Sequence, residues 1–384
     1  MPWNLTHGDI ERIAIGAGIL GTGGGGNPYR GMVQAKIQLD EGRTLQVVRL
    51  DELPDDALVA PLGGMGAPTV GLEKLGRGDE GKRAIEMLCE YLGVEVAATI
   101  PIEVGGSNSF VPLIAGAQLG LPTVDADGMG RAFPEWSMIS FYFDGVAPSP
   151  VVMTDSLDRK IIIEGVDTPQ SLECIGRAIC VQLGGRAMVA DRPISVRRLR
   201  EVAIPDTLTF AHRIGDAVLE AQRRGTDPIG AVCAVAGSVV LFSGKITDVD
   251  RRFERGYNVG RLRMVGSESW QGAAATIDLQ NEFLIFRIDD QVRAIVPDLI
   301  TMVDSERGTP ITTEVVRYGL RVTIIGIPAS AQLTTPQALT CVGPAAFGYD
   351  LPYTPLRPAP VPREQGDAAP FDLPASPTSA KPTK

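Results

Sequence analysis

A chain of 384 residues has room for two domains with cores of their own, and 44% hydrophobic with 21% charged residues is ordinary for a globular enzyme. A net charge of −10 excludes non-specific binding to nucleic acid or to an anionic membrane, since both need basic surface. No apolar run reaches the roughly 18 residues of a membrane span, and the N-terminus lacks a basic-then-apolar leader pattern, so a cytoplasmic protein is expected.

The first predicted element is a helix. Thr6 and Asp9 form a Thr-x-x-acid capping pair, and Leu5 and Ile10 take the hydrophobic-staple positions. Ile10, Ile13, Ala14, Ala17 and Leu20 then recur at helical spacing. Gly16-Ala17-Gly18-Ile19-Leu20-Gly21 matches G-x-G-x-x-G, a dinucleotide pattern that has meaning only between a strand and a helix. Here it falls at the end of a helix, so no nicotinamide cofactor is expected. The loop that follows, Gly21-Thr22-Gly23-Gly24-Gly25-Gly26-Asn27-Pro28, is the most informative stretch of the chain. Its glycines give up backbone entropy without returning side-chain contacts. What they offer is a bare backbone whose N–H groups can surround an anion or a carbonyl. A flexible surface turn is the plainer alternative.

Strands are predicted over residues 45–50 and 58–62, a helix over 82–92, a strand over 96–102, a helix over 110–119 and a strand over 122–125. Short strands follow at 138–143, 150–154 and 160–164. This alternation predicts an α/β domain with a largely parallel sheet over residues 1–165. A helical connecting section comes next, residues 166–230. Thr168-Pro169 opens one helix, closed by Gly184-Gly185, and a second runs from Thr207 to Arg224. Short strand-like runs from 231 to 356 predict a mostly β domain. Residues 357–384, rich in proline and alanine, have little to bury and are expected to be disordered.

Histidine narrows the chemistry. Only His7 and His212 exist, in helix-start and mid-helix settings, so a His-rich metal site cannot be built. Neither has the context of a nucleophile elbow. The five cysteines show no C-x-x-C pair and read as buried small hydrophobes, with Cys341 before a glycine-containing loop as the minor candidate for a reactive thiol. Three glycine-rich loops remain: Gly21–Asn27, Glu103–Asn108 and Val124–Glu135. Ligands of open α/β sheets bind at the carboxyl ends of strands, which would gather these loops. Asp125, Asp127 or Glu103 is then the candidate general base towards water, and Arg131 with the glycine loop the oxyanion binder. Gly23, Gly24, Gly25, Gly26, Asn27 and Asn108 are the candidate substrate-binding residues. Asp125-x-Asp127-Gly128 lacks the remaining ligands of a calcium loop. The cofactor is unassigned, and a carboxylate-bound divalent metal stays open.

The segments Leu20–Pro28, Val124–Glu135, Val296-Pro297-Asp298-Leu299-Ile300 and Gly343-Pro344-Ala345-Ala346-Phe347-Gly348-Tyr349-Asp350 occur in the order seen in the DUF917, or S-methyl thiohydantoin desulfurase, family. Over about residues 5–355 the chain resembles that family, with Ala345 standing where a basic residue is expected. The resemblance implies an α/β part followed by a β-rich part, and attack on a five-membered cyclic amide or thioamide. It also implies kinship with companions of hydantoinase and oxoprolinase systems. The expected function is therefore a hydrolase of a hydantoin- or thiohydantoin-like ring. The alternatives are a non-catalytic or phosphate-handling subunit of an ATP-dependent hydantoinase- or oxoprolinase-type complex, or a small-molecule binding protein. The expected partners are a cyclic small molecule, hydantoinase- or oxoprolinase-type subunits, and further copies of the chain in a homo-oligomer.

Overall fold

The structure is a computed structural model that describes residues 2–143 and 145–356. The tail expected to be disordered, residues 357–384, lies outside the described residues.

The chain begins with helix His7–Leu20, and its start is set as the sequence predicts. The Thr6 hydroxyl accepts from the Asp9 N–H while the Asp9 carboxylate accepts from the Thr6 N–H, so two orphan donors are satisfied at once. This helix crosses helix Thr207–Arg224 at very close range. A Cβ on Gly16 would fall 1.8 Å from the Ala211 carbonyl oxygen, and one on Gly215 would fall 1.9 Å from the Arg12 carbonyl oxygen. Gly18 faces Pro310 in the same way. The first glycines of the dinucleotide-like pattern are therefore helix-packing residues.

A mixed sheet forms the N-terminal half. Its order is Trp3–Asn4, Gln46–Val48, Thr123–Val124, Ala98–Pro101, Leu58–Gly66, Arg186–Ala190, Val151–Thr154 and Lys160–Ile163, with Ile194–Ser195 added beside Leu58–Gly66. Only the four strands from Gln46–Val48 to Leu58–Gly66 are parallel neighbours; every other pairing is antiparallel. The expected largely parallel sheet is thus a short parallel centre extended by antiparallel strands. One of those strands, Arg186–Ala190, comes from the section expected to be helical. Residues 138–143, expected as a strand, form the 3-10 turn Trp136–Met138 and the short helix Ser140–Phe143 instead. That run, Met138-Ile139-Ser140-Phe141-Tyr142-Phe143, has no polar–apolar alternation of period two to hold it in a sheet.

The C-terminal half is a seven-stranded antiparallel sheet. Its order is Gln291–Ile295, Glu282–Ile288, Ala274–Gln280, Tyr257–Gly266, Val239–Glu254, Arg321–Ile327 and Leu299–Asp304. The two halves share cores. Leu284, Ile285, Ile295 and Val296 pack with the N-terminal sheet, while Leu299, Val303, Ile325 and Ile327 pack under the first helix. Backbone bonds stitch the seam: the Phe283 N–H donates to Thr22 O at 2.8 Å and the Thr313 N–H to Gly23 O at 2.8 Å. Among the described residues no helix is long and apolar enough to cross a membrane.

Candidate active site

Strand Leu58–Gly66 carries Gly63 and Gly64 in its second half, and the bare backbone at Gly64 lets a carboxamide approach. Asn108 accepts from the Gly64 N–H at 2.9 Å and donates to Gly64 O at 3.1 Å. The same carboxamide NH2 also donates to Oε1 of Glu103, which leaves the neighbouring strand Ala98–Pro101. Glu103 Oε2 accepts from the Phe133 N–H at 3.2 Å. Glu103 is buried, and that burial pushes its carboxyl up to about 8.

The glycine loop closes over this carboxyl. The Ser107 N–H donates to Gly26 O at 3.0 Å and the Asn108 N–H to Gly25 O at 3.2 Å, so the first two of the three predicted loops are bonded backbone to backbone. The third joins through Asp127, whose carboxylate accepts from the N–H groups of Val104, Met129 and Gly130. The glycines are required by contact. A Cβ on Gly25, at φ +70°, would lie 2.2 Å from Gly105 O, and one on Gly24 would lie 1.8 Å from Oε1 of Glu282.

Glu282 is the residue that sequence reasoning missed. It follows the turn residue Asn281, at φ 55°, between strands Ala274–Gln280 and Glu282–Ile288, and this turn enters the N-terminal half beside Gly24. Its Oε2 is buried with no hydrogen-bond partner among the described residues. Burial first, then the nearby Glu103 charge, pushes the Glu282 carboxyl well above the ordinary range, while Arg131 and the Gly25 N–H act the other way. The only sequence signal was an acid opening the apolar run Phe283–Phe286.

Glu103 and Glu282 both line a cleft of about 120 Å³. Gly25, Gly26, Asn27, Ser107 and Asn108 line it on one side, and Met65, Phe133, Trp136 and Ile139 supply apolar wall. Trp136 is fixed from behind by Asp191, which accepts from its indole N–H at 2.9 Å and from the Tyr142 hydroxyl at 2.5 Å.

The other predicted site residues are placed elsewhere. Asp125 does not line the cleft. It caps helix Thr207–Arg224, accepting from the N–H groups of Leu208 at 2.8 Å and Thr209 at 3.1 Å. Asp127 ties loops together, as above, and does not line the cleft either. Arg131 is fully buried and joins the halves, donating to Pro297 O and Asp298 O at 2.9 Å each and to the Thr22 hydroxyl at 2.8 Å. Its charge acts on the carboxyl pair from behind the wall. Gly23 packs on the Phe283 ring, and the Asn27 side chain caps helix Pro28–Asp40 through the Tyr29 N–H. His7 and His212 pair with Asp40 and Asp9, away from the cleft. No cysteine lines the cleft, and Cys341 sits on helix Pro336–Val342. No group of three or more His, Cys, Asp and Glu suited to a metal ion occurs among the described residues.

Two family models cover the chain almost end to end. Residues 8–165 match the S-Me-THD-like N-terminal domain and residues 167–356 the S-Me-THD-like C-terminal domain. The chain belongs to the S-Me-THD-like family. No protein of curated function matches this S-Me-THD-like chain. A crystal structure of a protein from Chromobacterium violaceum is similar over 92% of this chain and 100% of its own, with 23% identity and a TM-score of 0.76. That likeness establishes a common fold for the S-Me-THD-like chain and the bacterial protein.

Proposed function

We propose that this S-Me-THD-like protein hydrolyses a five-membered cyclic amide or thioamide, a hydantoin- or S-methyl thiohydantoin-like ring, in the cleft between Glu103 and Glu282. The observation that carries the reading is the pair itself: two buried, mutually repelling carboxyls, one from each half of the chain, facing one small cleft. Like charges so placed do not both ionise, so once the first proton has left, near pH 8, the pair keeps the other and offers a base and an acid together.

The chemistry follows from that shared proton. The ionised carboxyl takes a proton from water as the water oxygen bonds to the ring carbon, and the protonated carboxyl gives its proton to the departing nitrogen or sulfur. One water is consumed, one carbon–nitrogen or carbon–sulfur bond breaks, and the pair ends with the single proton it began with. The Gly26 and Asn27 backbone, on the cleft wall, supplies N–H groups for the oxygen that becomes negative. Asn108 positions Glu103 by clamping it to the end of strand Leu58–Gly66. Met65, Phe133 and Trp136 suit the faces of a planar ring.

The test is mass-spectrometric turnover by purified protein of hydantoin, thiohydantoin, S-methyl thiohydantoin and 5-oxoproline, with and without ATP and EDTA. Product without ATP, lost in Glu282→Gln and kept in Asp125→Asn, is the expected result. No product from any ring under any condition would overturn the hydrolase reading.

A further inference from the structure

Pro134, Glu135 and Trp136 form one wall of the cleft, in a stretch with no regular structure beyond the 3-10 turn Trp136–Met138. The Pro134 carbonyl and the Trp136 N–H have no main-chain partner among the described residues. Both are held by side chains of one helix, Pro169–Gln182. Nη2 of Arg177 donates to Pro134 O at 2.7 Å, and Oε2 of Glu173 accepts from the Trp136 N–H at 2.7 Å. The two side chains are also bonded to each other, Nε of Arg177 donating to Oε1 of Glu173 at 2.8 Å.

This array is closed from the C-terminal half. Strands Val239–Glu254 and Tyr257–Gly266 pair as a long hairpin whose tip, Arg255-Gly256, lies against the helix. A Cβ on Gly256, at φ +91°, would fall 2.7 Å from Cδ of Arg177. Tyr257 follows the tip directly. Its ring centroid lies 4.4 Å from Cζ of Arg177, and its hydroxyl donates to Oε1 of Glu173 at 2.6 Å. Burial raises the Tyr257 hydroxyl above its ordinary range, so it stays a donor.

A gain in stability does not account for this arrangement. Glu173 and Arg177 are buried, and Nη1 of Arg177 has no hydrogen-bond partner among the described residues. A buried ion pair stabilises little more than apolar residues of the same size, and a buried donor left unpaired costs free energy. What the array does fix is the course of the wall. Trp136 is held at its backbone by Glu173 and at its indole by Asp191, and each acid also takes a tyrosine hydroxyl, that of Tyr257 or Tyr142. We propose that Tyr257 is a positioning residue for the cleft, fixing through Glu173 the Pro134–Trp136 wall against which the planar ring lies. This deepens the hydrolase reading and rests on it for the identity of the ring; the fixing of the wall does not need the ring.

Tyr257→Phe keeps an aromatic ring beside Arg177 and removes only the hydroxyl. In the full chain, hydrogen exchange at the Trp136 amide should quicken about fivefold or more, with the amides of helix Phe110–Leu119 unchanged. With S-methyl thiohydantoin as the probe, KM should rise about fivefold and kcat stay within about twofold, the signature of lost binding common to ground and transition states. An unchanged Trp136 amide would overturn the proposal whatever the kinetics. Faster exchange at Trp136 and in helix Phe110–Leu119 alike would assign Tyr257 to overall stability and overturn it too. Turnover with KM unchanged would overturn the positioning role and leave the hydrolase. Faster exchange confined to the wall, with no ring turned over by the wild type, would leave the positioning role standing and remove the hydrolase.

Discussion

Glu282 has one oxygen against the Gly24 backbone and the other without a hydrogen-bond partner among the described residues, which is the state of a carboxyl that keeps its proton. Glu103 is held up to about 8 by burial. The first proton to leave the pair therefore leaves above the ordinary Glu range of about 4.3. A bell-shaped kcat profile is expected, with its acidic limb displaced upwards and its two apparent values belonging to the pair. Glu103→Gln and Glu282→Gln should each lower kcat by about 10² to 10⁴, the usual worth of a positioned acid or base, and should leave a profile with a single limb. Asp125→Asn provides the contrast. Its carboxylate caps a helix, so the variant should lose about 1 kcal/mol of stability in urea titrations with kcat within twofold. A large loss of kcat without loss of stability would return Asp125 to the chemistry.

At the scale of elements, the glycine loop was visible in the sequence but its purpose was only half visible. Four adjacent glycines read as a backbone left bare for a ligand. In the structure much of that bareness lets loop Gly21–Asn27 lie on the Gly105–Gly106 turn and on Glu282. A contact with a segment more than 250 positions downstream leaves no local trace. Helix Phe110–Leu119 was legible at both ends, because an apolar run stops at Gly120 in the left-handed conformation. Helix Pro28–Asp40 was passed over because it buries few residues, although Asn27-Pro28 is a cap followed by proline at the first turn. Asp125 and Asp127 looked catalytic because two acids beside a glycine resemble a site; the N–H groups of Leu208 and Thr209 that occupy Asp125 come from a distant segment, and those on Asp127 come from Val104 and from its own turn at Met129 and Gly130. Gly24→Ala should abolish turnover and bind ring analogues at least tenfold more weakly, since its Cβ would displace Glu282. Gly42→Ala, at φ +80° in open space, is the control and should cost about 1 kcal/mol in stability and no activity.

At the scale of the whole molecule, buried groups that fold protonated set the pH response. Asp191 is pushed by burial to about 7 and Glu103 to about 8. Between the ordinary carboxylate range and these values the native chain holds protons that the unfolded chain has released. Their contribution is complete at low pH and falls as pH rises towards 8, by up to about 1.4 kcal/mol per pH unit for each group. Urea titrations should give lower stability at pH 8 than at pH 5.5, and Asp191→Asn should flatten that slope. A flat or rising wild-type profile would show that these carboxyls are ionised in the native state.

Arg131 adds a dynamic consequence. A guanidinium buried at the seam, bonded to two carbonyls of one half and a hydroxyl of the other, leaves the halves no low-cost way to swing apart. Ligand must therefore enter through the existing mouth of the cleft, by small movements of side chains at its rim. In stopped-flow experiments that follow Trp136 fluorescence, the observed association rate should climb in a straight line with ligand concentration, without the plateau that a slow opening step would impose.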